Sequence, residues 1–369
     1  MMNILYITNI DISEKGAAAN HIIDIIKSLK KQNCTVNLIS ASDKLMKVRY
    51  FYSNPLLWYP RFKGGWWLFQ FQLIIYSIFN IFQQNEIIYI RLSPSYLISY
   101  FLKKKKSKKI IELNGLEVIN HPHFKYMLVM GDIILVGTNT TASIMAKKFP
   151  SIKEKIKINS NIGVDKDKFF VKKKSECRDY LNIDDEYEII LNVSGFQAHH
   201  DFDTLISAFI QVNNKRMSVK LFLVGDGPRK KEIEHKYDEL IKSGKLIMVG
   251  AVRQSELLFY IGAADVCVNS MYNNKLQQHG NFNAQKTYEY MACNRPVIES
   301  CSFEIEIPEW ISDYVTCVPA EMKNELSLAF ERILKNKEFF NLKANEARKL
   351  VIEKFSWATV SKNIIHLGQ

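Results

Sequence analysis

The sequence predicts two doubly wound α/β domains in tandem, and three observations lead there. The chain has 369 residues, too many for one compact core and comfortable for two α/β domains of ordinary size. Short apolar runs alternate with stretches of helical periodicity, the pattern of parallel strands joined by helical crossovers. That alternation lapses in a lysine-rich stretch over residues 166–186 and then begins again.

The first series opens with a strand over residues 3–8, a turn-rich loop through Gly16 and a helical pattern over 22–29. Residues 36–40, 87–90, 110–113 and 133–136 read as further strands. In the second series, strands over 189–193, 219–224, 246–249 and 266–268 alternate with helical patterns over 204–212, 229–241 and 255–261. The expected domains are 1–170 and 171–355, with the boundary near 170–186. The closing segment 356–369 is amphipathic, with Trp357, Val360, Ile364 and Ile365 on one side, and is expected to pack back on the first domain. Ligands of such open sheets bind beyond the carboxyl ends of the strands, so the two domains are expected to face a central cleft.

Composition narrows the class. With 47% hydrophobic and 24% charged residues the chain is globular, which excludes disorder. Six cysteines without a C-x-x-C pair suggest neither a zinc site nor a disulfide framework, and read as free thiols in a reducing cytosol. The net charge of +12 is one-sided: residues 1–170 hold 24 Lys and Arg against 11 Asp and Glu, the remainder 26 against 27. Such a field favours an anionic partner, a membrane surface or a phosphorylated lipid, although a solvated basic surface gives the same count. No nucleic-acid-binding signature accompanies it, and no nucleic acid is expected. No signal peptide is visible. Residues 66–82 are uncharged but interrupted by Gln70, Gln72, Ser77 and Asn80, too short and too polar for a confident membrane span. The aromatics around Trp58, Trp66, Trp67, Phe69 and Phe71, with the basic run from Lys103 to Lys109, suit peripheral contact with an anionic membrane.

Three motifs carry chemistry. The strongest is Lys286-Thr287-Tyr288-Glu289-Tyr290-Met291-Ala292-Cys293-Asn294-Arg295-Pro296-Val297-Ile298. A carboxylate such as Glu289 offers two oxygens to two vicinal hydroxyls, and Lys286 adds a cation suited to a diphosphate. The second, Ser194-Gly195-Phe196-Gln197-Ala198-His199-His200-Asp201, is a strand end, a glycine turn and a helix start. The third, Val224-Gly225-Asp226-Gly227-Pro228, is a turn whose glycines let the backbone bend closely; the Gly250-Ala251-Val252-Arg253 stretch is of the same kind.

Over nearly its whole length the chain resembles the GT-B retaining glycosyltransferases that build bacterial surface polysaccharides. The stretch Lys286–Ile298 matches "K-x-x-E-Y-M-A-x-G-x-P-V-I", and Asn161-Ile162-Gly163-Val164-Asp165 with Phe169 resembles the segment before the interdomain linker. The resemblance implies two Rossmann-like domains, a nucleoside diphosphate sugar as donor with UDP favoured, and a hydroxyl of a lipid-linked saccharide as acceptor. It further implies retention of configuration, no cofactor and no metal, and a cytoplasmic protein on the inner face of the membrane. Donor-binding positions carried over are Gly16, Gly195, Phe196, Gly225, Val252, Arg253, Asn281, Lys286 and Glu289. Asn281 stands where many relatives carry a sugar-contacting glutamate. Phe196 and His200 stand where relatives often use Arg and Lys on the diphosphate, and a protonated His200 would donate to a phosphate oxygen. Asn294 replaces a glycine and is expected to take left-handed backbone. With His200 and Lys286, Glu112 and His121 complete the catalytic candidates, and Asn114 and His123 are further candidates for hydroxyl groups.

Two D-x-D triplets, Asp165 with Asp167 and Asp201 with Asp203, raise the rival of a metal-diphosphate enzyme, but both lie in stretches better read as linker and helix start. A UDP-amino-sugar epimerase of the same architecture is a second rival, and an inactive membrane-attached scaffold is a third.

Overall fold

Strands that are apolar on both faces require cover on both, which helical crossovers supply in a parallel sheet. In the computed structural model the named strands, among the described residues, all pair in parallel. The structure describes residues 2–12, 17–42, 56–58, 67–68, 71, 74–75, 85–91, 106–113, 124–159, 162–272, 285–301 and 312–369. They form two units, Met1–Gly163 with Trp357–Gln369, and Val164–Ser356.

The first unit contains β1 (Met2–Asp11), α1 (Ala17–Lys31), β2 (Cys34–Ser42), β3 (Leu56–Trp58), β4 (Ile87–Arg91), β5 (Lys108–Leu113), α2 (Phe124–Met130), β6 (Ile133–Val136), α3 (Asn139–Lys148) and β7 (Ile156–Ile158). Its sheet runs β3-β2-β1-β4-β5-β6-β7. The strand period of two splits β1 between two cores: Leu5 and Ile7 face one, Ile4 and Tyr6 the other. In α1, Ile22, Ile25, Ile26 and Leu29 recur at helical spacing and are fully buried in the second of these cores.

The second unit contains α4 (Lys174–Leu181), β8 (Glu188–Val193), α5 (Phe202–Lys215), β9 (Val219–Val224), α6 (Lys230–Lys236), α7 (Asp238–Lys242), β10 (Leu246–Gly250), α8 (Gln254–Ala263), β11 (Val266–Ser270), α9 (Gln285–Ala292), β12 (Val297–Cys301), β13 (Thr316–Pro319), α10 (Lys323–Lys335) and α11 (Lys337–Phe355). Its sheet runs β10-β9-β8-β11-β12-β13. Both sheets reverse their order of growth at the first strand, between β1 and β4 and between β8 and β11. These are the switch points where α/β sheets bind ligands.

The last helix, α12 (Trp357–Gly368), returns to the first unit and lies on α1. Ser361 and Ser28 share a hydrogen bond of 2.8 Å, and Gln32 donates to the Ala358 carbonyl at 3.0 Å. Trp357 covers Gly163, where a Cβ would lie 2.4 Å from the indole.

The boundary differs from the sequence expectation. The first unit ends at Gly163 rather than near 170. Val164 N–H donates to the Phe355 carbonyl at 2.8 Å, which ties the start of the second unit to its end. The lysine-rich stretch read as linker holds α4, anchored by buried Arg178, which donates to the Asp185 and Tyr187 carbonyls at 3.0 and 2.9 Å and to Asp265 at 3.0 Å. The helical pattern over 229–241 divides into α6 and α7 at Tyr237, whose hydroxyl donates to Asp203 at 2.8 Å. The short strands β3, β7 and β13 escaped the sequence reading, since none holds an apolar run of four residues.

Asp265 is the electrostatic hub of this region. It accepts from Arg178, from Lys174 and from the Ile189 amide at 2.8 Å, with Lys337 at 3.3 Å. Burial alone would raise its carboxyl, but Lys174, the Ile189 amide and Lys337 outweigh it and hold the carboxyl below the usual range. Its contribution to stability is therefore present above the unfolded carboxylate value and lost as pH falls through the lower folded one. Asp265→Ala is expected to leave Arg178 buried without its partner and to destabilise the second unit by about 3–5 kcal/mol. Thermal unfolding across pH should show that the deficit is large at neutrality and narrows below about pH 4.

Candidate functional site

At the second switch point three backbone segments interlock. Ser194 N–H donates to the Val224 carbonyl at 2.9 Å, Gly225 N–H to Gly250 at 2.8 Å, and Arg229 N–H to Phe196 at 3.1 Å. The glycines permit this approach. Gly225 has φ +131°, and a Cβ there would lie 1.8 Å from the Ser194 carbonyl oxygen; one on Gly227 would lie 2.0 Å from that of Gly195. Gly195 itself has room, its nearest neighbour being Gln197 at 3.8 Å.

Two expectations for the turn after Gly195 are corrected. The Phe196 side chain is no donor ligand: it is fully buried and stacks on Phe202 at 4.6 Å, while its backbone takes φ +45°. His200 is not a protonated donor. Its Nδ1 accepts from the Gln197 amide at 3.1 Å, and burial first, then Lys286 and His199, push its pKa down to about 3. The ring is neutral at physiological pH and carries its proton on Nε2, which remains a hydrogen-bond donor. His199 lies beside it at 4.3 Å and is also held down by burial and by Lys286.

Helix α9 closes the other side of the β8 end. It buries Thr287, Tyr288, Tyr290 and Met291 and leaves Lys286 and Glu289 half-buried. The Tyr290 hydroxyl accepts from Val193 N–H at 2.9 Å, and Lys286 Nζ donates to the Val193 carbonyl at 3.2 Å. Burial pushes the Lys286 amine below the ordinary lysine range, opposed by Glu299 and Glu289. Gln285 donates to Glu289 at 3.4 Å. Asn294 has φ +58°, the left-handed backbone expected of it.

Arg253, an expected ligand, caps α8. Its side chain is exposed and its Nε donates to Glu256 at 3.1 Å, with half-buried Val252 before it. The sequence reading missed Arg229, which braces the turn: Nη1 donates to the His200 carbonyl at 2.9 Å, and Nη2 lies 3.4 Å from Asp203. Its position just after the Gly-Asp-Gly-Pro turn was the available signal. It also missed Glu299, an acid inside an apolar strand and 1% exposed. The Asn269 amide donates to it at 2.8 Å, and the Thr287 hydroxyl donates as well.

Asp201 accepts from the Thr204 amide at 2.9 Å as a helix cap. Burial pushes the Asp203 carboxyl up, yet hydrogen bonds from Lys236, Tyr237 and Tyr272 hold it down at about 2. Among the described residues no cluster of three His, Cys, Asp or Glu is placed to hold a metal. Gly16, His121 and Asn281, together with Asn114 and His123, lie outside the described residues. In the first unit Glu112 is 1% exposed and accepts from the Tyr89 hydroxyl at 2.7 Å, with Arg91 at 3.4 Å and His21 at 3.7 Å. Its carboxylate, a catalytic candidate in the sequence, is enclosed by these groups.

Residues 173–350 match the family model described as Glycosyl transferases group 1. The chain is 27% identical over 128 residues to an uncharacterized glycosyltransferase of Methanocaldococcus jannaschii, covering 34% of this chain and 31% of that protein. It is 27% identical over 95 residues to the alpha-monoglucosyldiacylglycerol synthase of Streptococcus pneumoniae, covering 26% of this chain and 22% of that one. Both matches thus span a third or less of the curated relatives. Among solved structures, a glycosyltransferase from Rickettsia africae superposes with a TM-score of 0.78 at 16% identity over 100% of this chain and 97% of that one. The sucrose-phosphate synthase of Thermosynechococcus elongatus gives 0.77 at 16% over 100% and 98%. The Anabaena protein HepE in complex with UDP-glucose gives 0.74 at 14% over 100% and 99%. Together these give the class: the chain has the GT-B fold, and residues 173–350, just under half of it, match the group 1 glycosyltransferase model.

The contrast between two glycines tests the interlocked turns. Gly225→Ala is expected to lower stability by about 1–3 kcal/mol or more, because neither backbone has room to move. Gly195→Ala is expected to stay within about 1 kcal/mol of the parent. Thermal unfolding of the two variants side by side checks this.

Proposed function

We propose that the protein transfers a sugar from a nucleoside diphosphate donor, UDP being the favoured nucleotide, to a hydroxyl of a lipid-linked saccharide in surface-polysaccharide synthesis, with retention of configuration. The observation that carries the reading is the presentation of Lys286 and Glu289 by one helix at the carboxyl end of β8, with Lys286 held to Val193 and close enough to depress both His199 and His200. In this reading Glu289 accepts from the vicinal ribose hydroxyls. Lys286 meets the diphosphate as a cation, and the neutral His200 donates through Nε2 to an oxygen whose charge grows as the sugar departs. The interlocked turns of Gly195, Gly225 and Gly250 bring backbone close to the nucleotide.

Crystals of the Anabaena neighbour with UDP and with UDP-glucose support the donor class. The name of the pneumococcal relative, a glucosylated-diacylglycerol synthase, supports a lipid acceptor. Attachment at the inner face of the membrane is part of the proposal. It is supported by the basic first half of the chain and by Trp67 and Phe71, 53% and 62% exposed. No helix among the described residues is long and apolar enough to cross a membrane.

A thermal-shift screen of nucleoside diphosphate sugars tests the donor, since a ligand stabilises according to its occupancy. UDP and UDP-sugars are expected to raise the melting temperature. Glu289→Ala should weaken UDP about ten- to a hundred-fold, the loss of hydrogen bonds to a charged group. No shift with any donor, or no effect of the substitution, would reject the reading. Turnover of UDP-sugars without an acceptor would point to an epimerase instead.

A further inference from the structure

We propose that Glu299 is a positioning residue that keeps Lys286 charged against the donor diphosphate, an inference that rests on the donor reading above. Glu299 lies in β12 in register with Asn269 of β11, and both of its oxygens are fixed, one by the Asn269 amide and one by the Thr287 hydroxyl. Both donors are neutral. Two neutral hydrogen bonds do not account for an acid that is 1% exposed, because an amide side chain would satisfy them without the cost of burying a charge. Among the described residues no cation lies in ion-pair contact with it, yet the residue preceding its Thr287 partner is Lys286, the cation through which it is electrostatically linked.

Seen from Lys286 the arrangement is complementary. Its amine donates to a neutral carbonyl, that of Val193, and its flanks are His199 and His200, both neutral. The groups that favour its charge are Glu299 first and Glu289 second. Tyr288, Tyr290 and Cys317, which also face Glu299, are kept protonated mainly by burial, the Glu299 charge adding to it. Lys286 is thus the cation that Glu299 serves among these neighbours. Glu289, the smaller contributor, is the acid that meets the ribose in the donor reading.

The sign of the effect follows. Burial pushes Lys286 down and Glu299 up, and the charge of each opposes the effect of burial on the other. Affinity for a diphosphate is lost as pH rises through the Lys286 value. Removing the Glu299 charge lowers that value and moves the loss to lower pH. At acidic pH Lys286 is charged in either case and burial has already brought Glu299 to its neutral form, so the two proteins have the same affinity. Glu299→Gln is suited to the test, because its carbonyl can accept from Asn269 while its amide donates to the Thr287 hydroxyl.

The experiment is calorimetric titration of UDP into the parent, Glu299→Gln and Glu299→Asp from mildly acidic to mildly alkaline pH. It is paired with ¹³C-lysine NMR titration of Lys286 in the UDP-free proteins, assigned with Lys286→Arg. The Glu299→Gln profile is expected to meet that of the parent at acidic pH and to fall away from it as pH rises, with the Lys286 midpoint lowered by about one pH unit. Glu299→Asp should restore part of the shift. Parallel or superposable UDP profiles, or an unmoved Lys286 midpoint, would overturn the inference. UDP that fails to bind the parent would overturn the donor reading itself, whatever Lys286 does.

Discussion

Both backbone groups of Val193 are held by one helix, the amide by the Tyr290 hydroxyl and the carbonyl by Lys286, and the arrangement of the site depends on this double tie. A strand end would otherwise present an unpaired N–H and C=O at the switch point, which burial makes costly. Meeting that requirement with α9 fixes where Glu289 and Lys286 stand relative to the sheet. It also brings a lysine into a half-buried setting, where its charge needs support from neighbouring acids.

The turns around Val193 are set by a second constraint, the close approach of the 194–196 and 225–227 backbones. Glycine at 225 and 227 is required by space, and Arg229 reinforces the contact by bonding backbone from both Phe196 and His200. The histidines at 199 and 200 are kept neutral by burial first and by Lys286 second. Where a family resemblance suggested two cations after the glycine, the molecule has a core phenylalanine and an uncharged imidazole. The burden of positive charge falls on Lys286, and a buried Glu299 that favours this charge becomes intelligible on that ground.

Much of the fold was legible because its signals are local. Strand runs such as 133–136 and 219–224 coincide with the observed strands, since an uninterrupted apolar run admits few other structures in a sheet covered on both faces. The strands β3, β7 and β13 lack the uninterrupted apolar run of four that made β6 legible. The stretch 166–186 looked like linker because its fold is imposed from afar, by Arg178 reaching Asp265 eighty-seven residues away. The helix that carries Lys286 and Glu289, and the glycine turns, were readable from the local sequence. Arg229 and Glu299 were not, because a charged residue in a turn or a strand reveals its partner only when the chain is folded.

By itself the sequence determined the tandem α/β architecture, the helix that carries Lys286 and Glu289, and the left-handed end at Asn294, because each rests on residues within a few positions of one another. Tertiary structure alone decided which side chains are available for chemistry. Phe196 is withdrawn into the core, His200 is held neutral, Glu112 is enclosed, and Glu299 is set in register with Asn269 and linked to α9 through Thr287. The reason is physical: periodicity reports what a residue is next to in the chain, whereas burial and charge report what it meets in space.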